Sequence, residues 1–301
     1  MLSVLIPVYN FDIRDLAGEL SRQAVELKIP FEILVIDDKS DAAFRELNNG
    51  IAGYEGVTYH EVQENLGRSR IRNKLADMAR FDNFLFLDCD SSVDNDGFLA
   101  GYVEHIGENN VIYGGRKYDD RRPERDKYLL HWLHGTKREQ ISVRIREHDP
   151  NRSFMTNNFL ITRKAFEKVR FNEKMRGYGH EDTLFGYDLH KSDITIKHID
   201  NPVIHLGLES SEEFLRKTRE GIKNLLRIIR INGNEKKLAR DITLLSYYKK
   251  IKKLKLDGMV RYLYSKTEYL LRRNLLSDHP KLFYFDLYKL GYLCSLNGEI
   301  K

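Results

Sequence analysis

The sequence predicts an α/β fold, a mostly parallel central sheet with helices on both faces, followed by a helical extension. Three observations carry this. Short apolar runs at residues 2–8, 31–36, 57–62 and 83–88 alternate with stretches of helical periodicity. No hairpin signal joins neighbouring runs, so each connection is a crossover, and strands joined by crossovers lie parallel and are covered on both faces. After about Leu208 the strand pattern stops, and Lys and Arg alternate with Leu and Ile at helical spacing. The expected organisation is therefore a domain over 1–208 and a helical region over 209–301.

Residues 2–8 make a first strand closed by Pro7, with Val8, Tyr9 and Asn10 as the exit loop. Asp12 is placed to cap a helix reaching about Lys28, with Ile13, Leu16, Leu20, Ala24 and Leu27 on one face. Residues 31–36 form a second strand that ends in Asp37 and Asp38. A weaker third strand covers 57–62, and the turn Glu64-Asn65-Leu66-Gly67 leads into a helix from about Arg68 to Arg80. The run at 83–88 then ends in Asp88, Cys89 and Asp90. On an extended chain residues i and i+2 share a side, so the two carboxylates are expected to converge with Cys89 turned away. Such a pair suits a hard divalent ion that also takes substrate phosphates.

A helix at about 96–106 and a strand at 111–113 follow. Residues 115–152 are rich in charge, with aromatic islands at Tyr128, His131 and Trp132. No element is assigned there, and the stretch is read as a lid or an acceptor-binding insertion. Strand character resumes over 154–161, and a short helix starts at Lys164. Glu181 and Asp182 precede a helix predicted over 183–191, where Leu184, Tyr187 and Leu189 are available for packing. Strand-like pieces at 194–199 and 202–205 close the domain. Ligands of such sheets bind beyond the carboxyl ends of the strands. The acids at 37–38 and 88–90 are therefore expected at one edge, with Tyr9 and the helix start at Gly67.

The 301 residues, 41% hydrophobic and 32% charged, describe a globular chain with ample length for a core rather than a disordered one. A net charge of +5 is compatible with anionic small molecules, a membrane surface or nucleic acid. Only two cysteines occur, Cys89 and Cys294, which excludes a disulfide framework and fits a reducing compartment. The first residues lack the basic segment and long apolar core of a secretory signal, and no window approaches the roughly 20 apolar residues of a membrane span. A cytoplasmic place follows. The basic helices after Leu208 are read as a solvated face or, alternatively, as a peripheral contact with the inner membrane face, and the aromatic run at 282–292 as packing on the core or on a second copy of the chain.

Four segments, in order, carry a family resemblance. Ser3-Val4-Leu5-Ile6-Pro7-Val8-Tyr9-Asn10, Glu32-Ile33-Leu34-Val35-Ile36-Asp37-Asp38-Lys39-Ser40, Asn65-Leu66-Gly67 with Arg72-Asn73, and Asp88-Cys89-Asp90 resemble the family 2 glycosyltransferases of the GT-A fold. The likeness runs over most of 1–208. Gly177-Tyr178-Gly179-His180-Glu181-Asp182, with Phe185 and Gly186, is similar to the Gly-Trp-Gly-Gly-Glu-Asp segment of β-galactosyltransferases and chondroitin polymerases. Tyr178 replaces the Trp and His180 replaces a Gly.

The resemblance implies a metal-dependent, inverting transfer of sugar from a UDP-sugar to a hydroxyl of a glycan or lipid-linked acceptor, in bacterial surface polysaccharide synthesis. It also implies roles. Pro7 and Tyr9 would lie along the uracil or ribose, and Asp38 or its neighbour Asp37 would accept a hydrogen bond from the base. Gly67 would let the chain pass close to the nucleotide, and Arg72 would support the diphosphate. Asp88 and Asp90 would hold Mn²⁺ or Mg²⁺ with His205 as a further ligand, and an imidazole favours Mn²⁺. Asp182 would be the general base, Glu181 would hold sugar hydroxyls, and Tyr178 would stack on a sugar ring. Two other readings compete: a sugar nucleotidyltransferase, which lacks its Gly-rich loop at Pro7-Val8-Tyr9-Asn10, and a nucleic-acid binder, which the many acids disfavour.

Overall fold

The apolar runs fold into strands because they can bury both faces at once. The computed structural model describes residues 1–108, 110–175, 177, 179–232 and 242–296. Its strands are β1 (Leu2–Val8), β2 (Phe31–Asp37), β3 (Val57–Glu61), β4 (Asn83–Leu87), β5 (Ser91–Ser92), β6 (Val111–Tyr113), β7 (Arg116–Lys117), β8 (Asn158–Thr162), β9 (Ile196–His198) and β10 (Val203–His205). The main sheet has the order β3-β2-β1-β4-β8-β6-β9, and a small sheet has the order β5-β10-β7. β1 to β4 pair in parallel, and so do β6 and β9. β8 runs antiparallel to both β4 and β6, a departure from the all-crossover expectation. The long segment preceding β8 lets the chain re-enter the sheet in the reverse direction.

The helices are α1 (Arg14–Glu26), α2 (Ala42–Asn49), α3 (Arg68–Met78), α4 (Phe98–Val103), α5 (Leu129–His134), α6 (Val143–Arg146), α7 (Arg163–Lys168), α8 (Glu181–Lys191) and α9 (Ser211–Asn232), followed by Thr243–Lys253, Asp257–Leu275 and Leu282–Ser295. Alternation along the strands divides the core in two. Leu5, Leu34, Phe84 and Phe86 pack with Ile71 and Leu75 of α3, Phe166 of α7 and Phe185 of α8. Val4, Ile6, Ile33, Val35 and Leu85 pack with Leu16 and Leu20 of α1 and Phe98 of α4. A strand covered on both faces needs apolar residues at both parities, which is why these runs do not alternate.

Two local expectations are corrected. Pro7 does not close β1: the strand pairs with β2 as far as Val8 and Asp37, but with β4 only as far as Leu5 and Phe86. Pro7 thus lies past the last rung with β4, where a missing N–H breaks nothing on that side. α1 starts at Arg14, with Ile13 at the cap position, while Asp12 Oδ1 accepts the Arg14 N–H at 3.1 Å.

The chain divides into two compact units. One comprises Met1–Asp119, Gln140–Met175 and Glu181–Gly207; the other comprises Asp120–Glu139, Arg176–His180 and Leu208–Lys301. The segment 115–152 is therefore not a structureless insertion. It contributes β7 and α6 to the sheet unit and α5 to the helical unit. In α6 the buried Arg146 donates to the carbonyls of Ile141, Tyr113, Gly114 and Ile199, at 3.0, 3.3, 3.2 and 3.0 Å. These four bonds fix the bend between β6 and β7. Gly114 and Gly115 are required in that bend, since a Cβ on Gly114 would stand 2.4 Å from the Asn201 carbonyl and Gly115 has φ +103°. In the helical unit, His131 stacks on Phe214 at 4.5 Å and accepts the Glu209 N–H through Nδ1.

Candidate active site

The exits of β1 and β2 are tied to each other. Asn10 and Lys39 take left-handed conformations, φ 49° and 64°. The Asn10 N–H donates to Ser40 Oγ at 2.8 Å, and the Asp41 N–H returns to Asn10 Oδ1 at 2.7 Å. Pro7 is half-buried at the end of β1, while Tyr9 stands 55% exposed beside this clamp. Asp37 has no exposed surface, and its Oδ1 accepts the Ser40 N–H at 2.6 Å. Asp38 accepts the N–H groups of Leu66 and Gly67 on its two oxygens, at 2.6 and 2.9 Å. Burial raises its pKa despite those bonds. Of the two carboxylates only Asp38 keeps any open surface, and it already anchors the turn before α3. Gly67 at φ 78° and ψ 167° lies in a region essentially confined to glycine. A Cβ there would meet nothing within 4 Å, so the protein demands glycine for its backbone and not for space.

Asp88 and Asp90 do not form the same-side pair expected of an extended chain. β4 ends at Leu87 and the chain turns over Cys89 and Asp90, which breaks the period of two; Cys89 packs on the core beneath α1 and α4. Asp88 instead receives the buried Arg72 at 2.6 Å, with Arg116 3.8 Å from its other oxygen. Arg72 is thus an interior cation, not a helix-surface one. Asp90 faces His205, Oδ1 to Nδ1 3.5 Å, although the two are far apart in sequence. The pairing of His205 opposite Ser91 between β10 and β5, with the Leu206 N–H donating to the Asp90 carbonyl at 2.8 Å, brings them together. Burial alone would raise the Asp90 pKa, but the contact with His205 and the charges of Arg116 and Arg68 outweigh it and hold the carboxyl well below its usual range.

Among the described residues no group of three His, Cys, Asp or Glu side chains is close enough to enclose an ion. Of the three residues expected at an ion, Asp88 is engaged by Arg72, and Asp90 stands beside His205. A buried, ionised carboxylate oxygen facing an imidazole nitrogen at 3.5 Å is a donor set suited to Mn²⁺ or Mg²⁺, provided a substrate diphosphate supplies further oxygens.

Glu181 and Asp182 occupy the first turn of α8, which is held by buried Leu184, Phe185 and Leu189, with Tyr187 half-buried. Phe185 stacks on Phe171 at 4.3 Å. The Glu181 carboxylate is buried against Arg68, Oε1 to Nη1 3.0 Å. Burial opposes its ionisation, but Arg68 and Arg72 hold its pKa down. Asp182 goes the other way: burial, then the Glu181 charge beside it, pushes its pKa up to about 6. Two adjacent carboxyls are thereby set apart, one firmly ionised and one poised near neutrality. The preceding Gly179 has φ +93°, and a Cβ on it would come 3.1 Å from Gly221 Cα of α9. Tyr178, expected to stack on a sugar, lies outside the described residues.

A run of contacts links these groups. Glu181 meets Arg68, Arg68 is one turn from Arg72 on α3, Arg72 meets Asp88, and Arg116 lies beside Asp88 and donates to Tyr118 Oη at 3.4 Å. The Tyr118 ring sits edge-on to His205 at 5.3 Å. Arg68, Arg116 and Tyr118 escaped the sequence reading. Arg68 could have been found, since it follows Gly67 directly and precedes Arg72 by one helical turn. Arg116 and Tyr118 fall in the segment without assignable elements and gave no signal.

The chain resembles known proteins in sequence and in fold. The sequence profile of Glycosyl transferase family 2 matches residues 3–170, more than half of the chain. A relative, the uncharacterized glycosyltransferase YfnE of Bacillus subtilis, is 24% identical over 241 residues, covering 65% of this chain and 62% of that protein. Among solved structures, Staphylococcus aureus TarS aligns over 75% of this chain and 39% of its own, with TM-score 0.51 and 19% identity. The mannosyltransferase PcManGT of Pyrobaculum calidifontis, solved with GDP-Man and Mn²⁺, aligns over 98% and 86%, with TM-score 0.57 and 12% identity. Glucosyl-3-phosphoglycerate synthase of Mycobacterium tuberculosis, solved with Mg²⁺ and UDP, aligns over 75% and 78%, with TM-score 0.53 and 15% identity. The fold is that of the GT-A enzymes, and the chain belongs to glycosyl transferase family 2.

Proposed function

We propose that this glycosyltransferase moves a sugar, with inversion, from a UDP-sugar to a hydroxyl of a glycan or lipid-linked acceptor. The observation that carries the reading is the contact chain from Glu181 and Asp182 through Arg68 and Arg72 to Asp88, with Asp90 and His205 beside it. The acceptor oxygen bonds to the anomeric carbon as the bond from that carbon to the diphosphate breaks. Asp182 takes the hydroxyl proton, and its raised pKa makes it a competent base near neutrality. Glu181, kept ionised by Arg68, accepts hydroxyl hydrogen bonds from sugar. Asp38, with Pro7 and Tyr9, borders the base and ribose, and the Gly67 turn stands by the nucleotide. Arg72 acts on the diphosphate side by holding Asp88 in place.

Asp90 and His205 would hold a Mn²⁺ or Mg²⁺ ion, with Asp88 close by. When bound, such an ion neutralises charge on a leaving diphosphate. Support comes from the family and from neighbours of like fold solved with UDP and Mg²⁺, with GDP-Man and Mn²⁺, and, for a TarS fragment, with UDP-GlcNAc. The acceptor belongs to bacterial surface polysaccharide synthesis at the inner face of the cytoplasmic membrane, with 1–208 as the transferase domain and 209–301 as its helical appendage. A thermal-shift screen of UDP- and GDP-sugars with and without Mn²⁺ tests this. A rise in Tm with one UDP-sugar that needs the ion supports the reading; stabilisation by GDP-sugars alone would reassign the donor.

A further inference from the structure

Among the described residues the helices Asp257–Leu275 and Leu282–Ser295 carry an exposed apolar face. Along the first, Met259, Tyr262, Leu263, Tyr269 and Leu270 recur at helical spacing and are all exposed, Tyr269 by 72% and Leu270 by 57%. The second helix adds Phe283 and Leu287, exposed by 64% and 40%. Between the helices runs a groove of about 860 Å³ lined by Val260, Leu263, Leu270, Tyr284, Leu287 and Leu290. An exposed stripe of this size on a soluble fold marks an interaction surface.

On the first helix the exposed charges are of one sign. Every exposed charged residue on the first helix is a cation: Arg261, Lys266 and Arg273. Its two acids, Asp257 and Glu268, are half-buried, and Glu268 is bound to Arg219. The chain entering this helix, Lys252-Lys253-Leu254-Lys255-Leu256, is exposed throughout, alternating cations with leucines. On the second helix Asp286 is held by Arg138 and Lys289, and beyond the end of the first Asp278 lies against His279.

We propose that this face is the seat of an anionic lipid bilayer: Leu263, Leu270 and Leu287 enter the acyl boundary, the tyrosines sit at headgroup level, and the cations meet lipid phosphates. A leucine and aromatic stripe interspersed with exposed cations has the composition of interfacial helices. Pairing of this face with a second copy about a two-fold axis would bring Lys266 and Arg273 of one copy onto the same cationic row of the other, which like-charge repulsion opposes. The surface deepens the membrane-face reading given above and rests on it for its setting. It also narrows the contact from the basic helices after Leu208 to this stripe and groove.

Flotation of the full-length chain with phosphatidylcholine vesicles, with and without phosphatidylglycerol, tests the proposal. The chain is expected to float with anionic vesicles, to stay behind with neutral ones, and to be released by raised salt. Both Leu263→Glu with Leu270→Glu and Arg261→Ser with Lys266→Ser and Arg273→Ser should cut the bound fraction at least tenfold. Their melting curves and their stabilisation by UDP-sugar should match the parent chain, since none of these side chains belongs to the candidate site. Absence of flotation on anionic vesicles, equal flotation on neutral ones, or undiminished binding by either variant overturns it. A dimer in sedimentation that the leucine variant dissolves would assign the face to a second copy instead. Loss of UDP-sugar stabilisation in the parent chain would count against the transferase reading and leave the vesicle result standing.

Discussion

At the residue scale the site rests on neighbouring carboxyls driven in opposite directions. Glu181 is kept ionised by Arg68 and Arg72, and its charge helps push Asp182 up to about 6. A base must be deprotonated to act, so transfer should rise with pH through about 6 and level off above it. In Glu181→Gln the like charge is gone, and the inflection of the pH–rate profile should move to lower pH. In Arg68→Gln a cation that favours both carboxylates is lost, and the inflection should move up. An inflection that stays fixed in both variants would remove Asp182 from the titration. Asp182 was legible in the sequence as half of a Glu-Asp pair. Its environment was not, because that depends on Arg68, which only the fold brings to within 3.0 Å of Glu181. The same holds at Asp88: the sequence offers two acids one residue apart, but the chain turns after Leu87, and an arginine from α3 claims the first of them.

At the scale of elements, the site is held by packing behind it and by loops that admit few residues. α8 carries the Glu-Asp pair, and its anchor is Phe185, 2% exposed and stacked among Phe154, Phe159 and Phe171. Phe185→Ala should cost about 3–5 kcal/mol in denaturant unfolding, the usual range for emptying an aromatic from a core. Gly67→Ala should cost about 1–3 kcal/mol, because no Cβ residue sits well at φ 78° and ψ 167°. It should also weaken nucleotide binding by disturbing the turn that Asp38 anchors; a variant with unchanged stability would contradict the backbone argument. The first four strands and helices α1 and α3 were legible because their apolar runs and periodicities are local, whereas α2 between β2 and β3 was not predicted. Nor were β7, α5 and α6. They are held by distant partners, such as the carbonyls around Arg146 and the stack of His131 on Phe214, and leave no periodic trace in 115–152.

For the whole molecule, the parallel strands β1, β2 and β4 of the main sheet deliver their exit loops to the same edge, and the small sheet adds His205 from the far end of the domain. Strand ends that gather acids at one edge were evident from sequence; the partner that a late histidine would find was not, since it is fixed by β10 pairing with β5. If Asp90 and His205 hold the ion, EDTA should abolish transfer and Mn²⁺ restore it. Asp90→Asn should lose the Mn²⁺-dependent part of UDP-sugar binding, measured by titration calorimetry. The most direct test of the account follows the products formed by the full chain and by Asp182→Asn at matched donor occupancy. It predicts UDP released from a UDP-sugar in step with acceptor glycosylation, falling about 100-fold in the variant while donor affinity holds. Equal turnover by Asp182→Asn, or pyrophosphate formed from UTP in place of UDP, would contradict it.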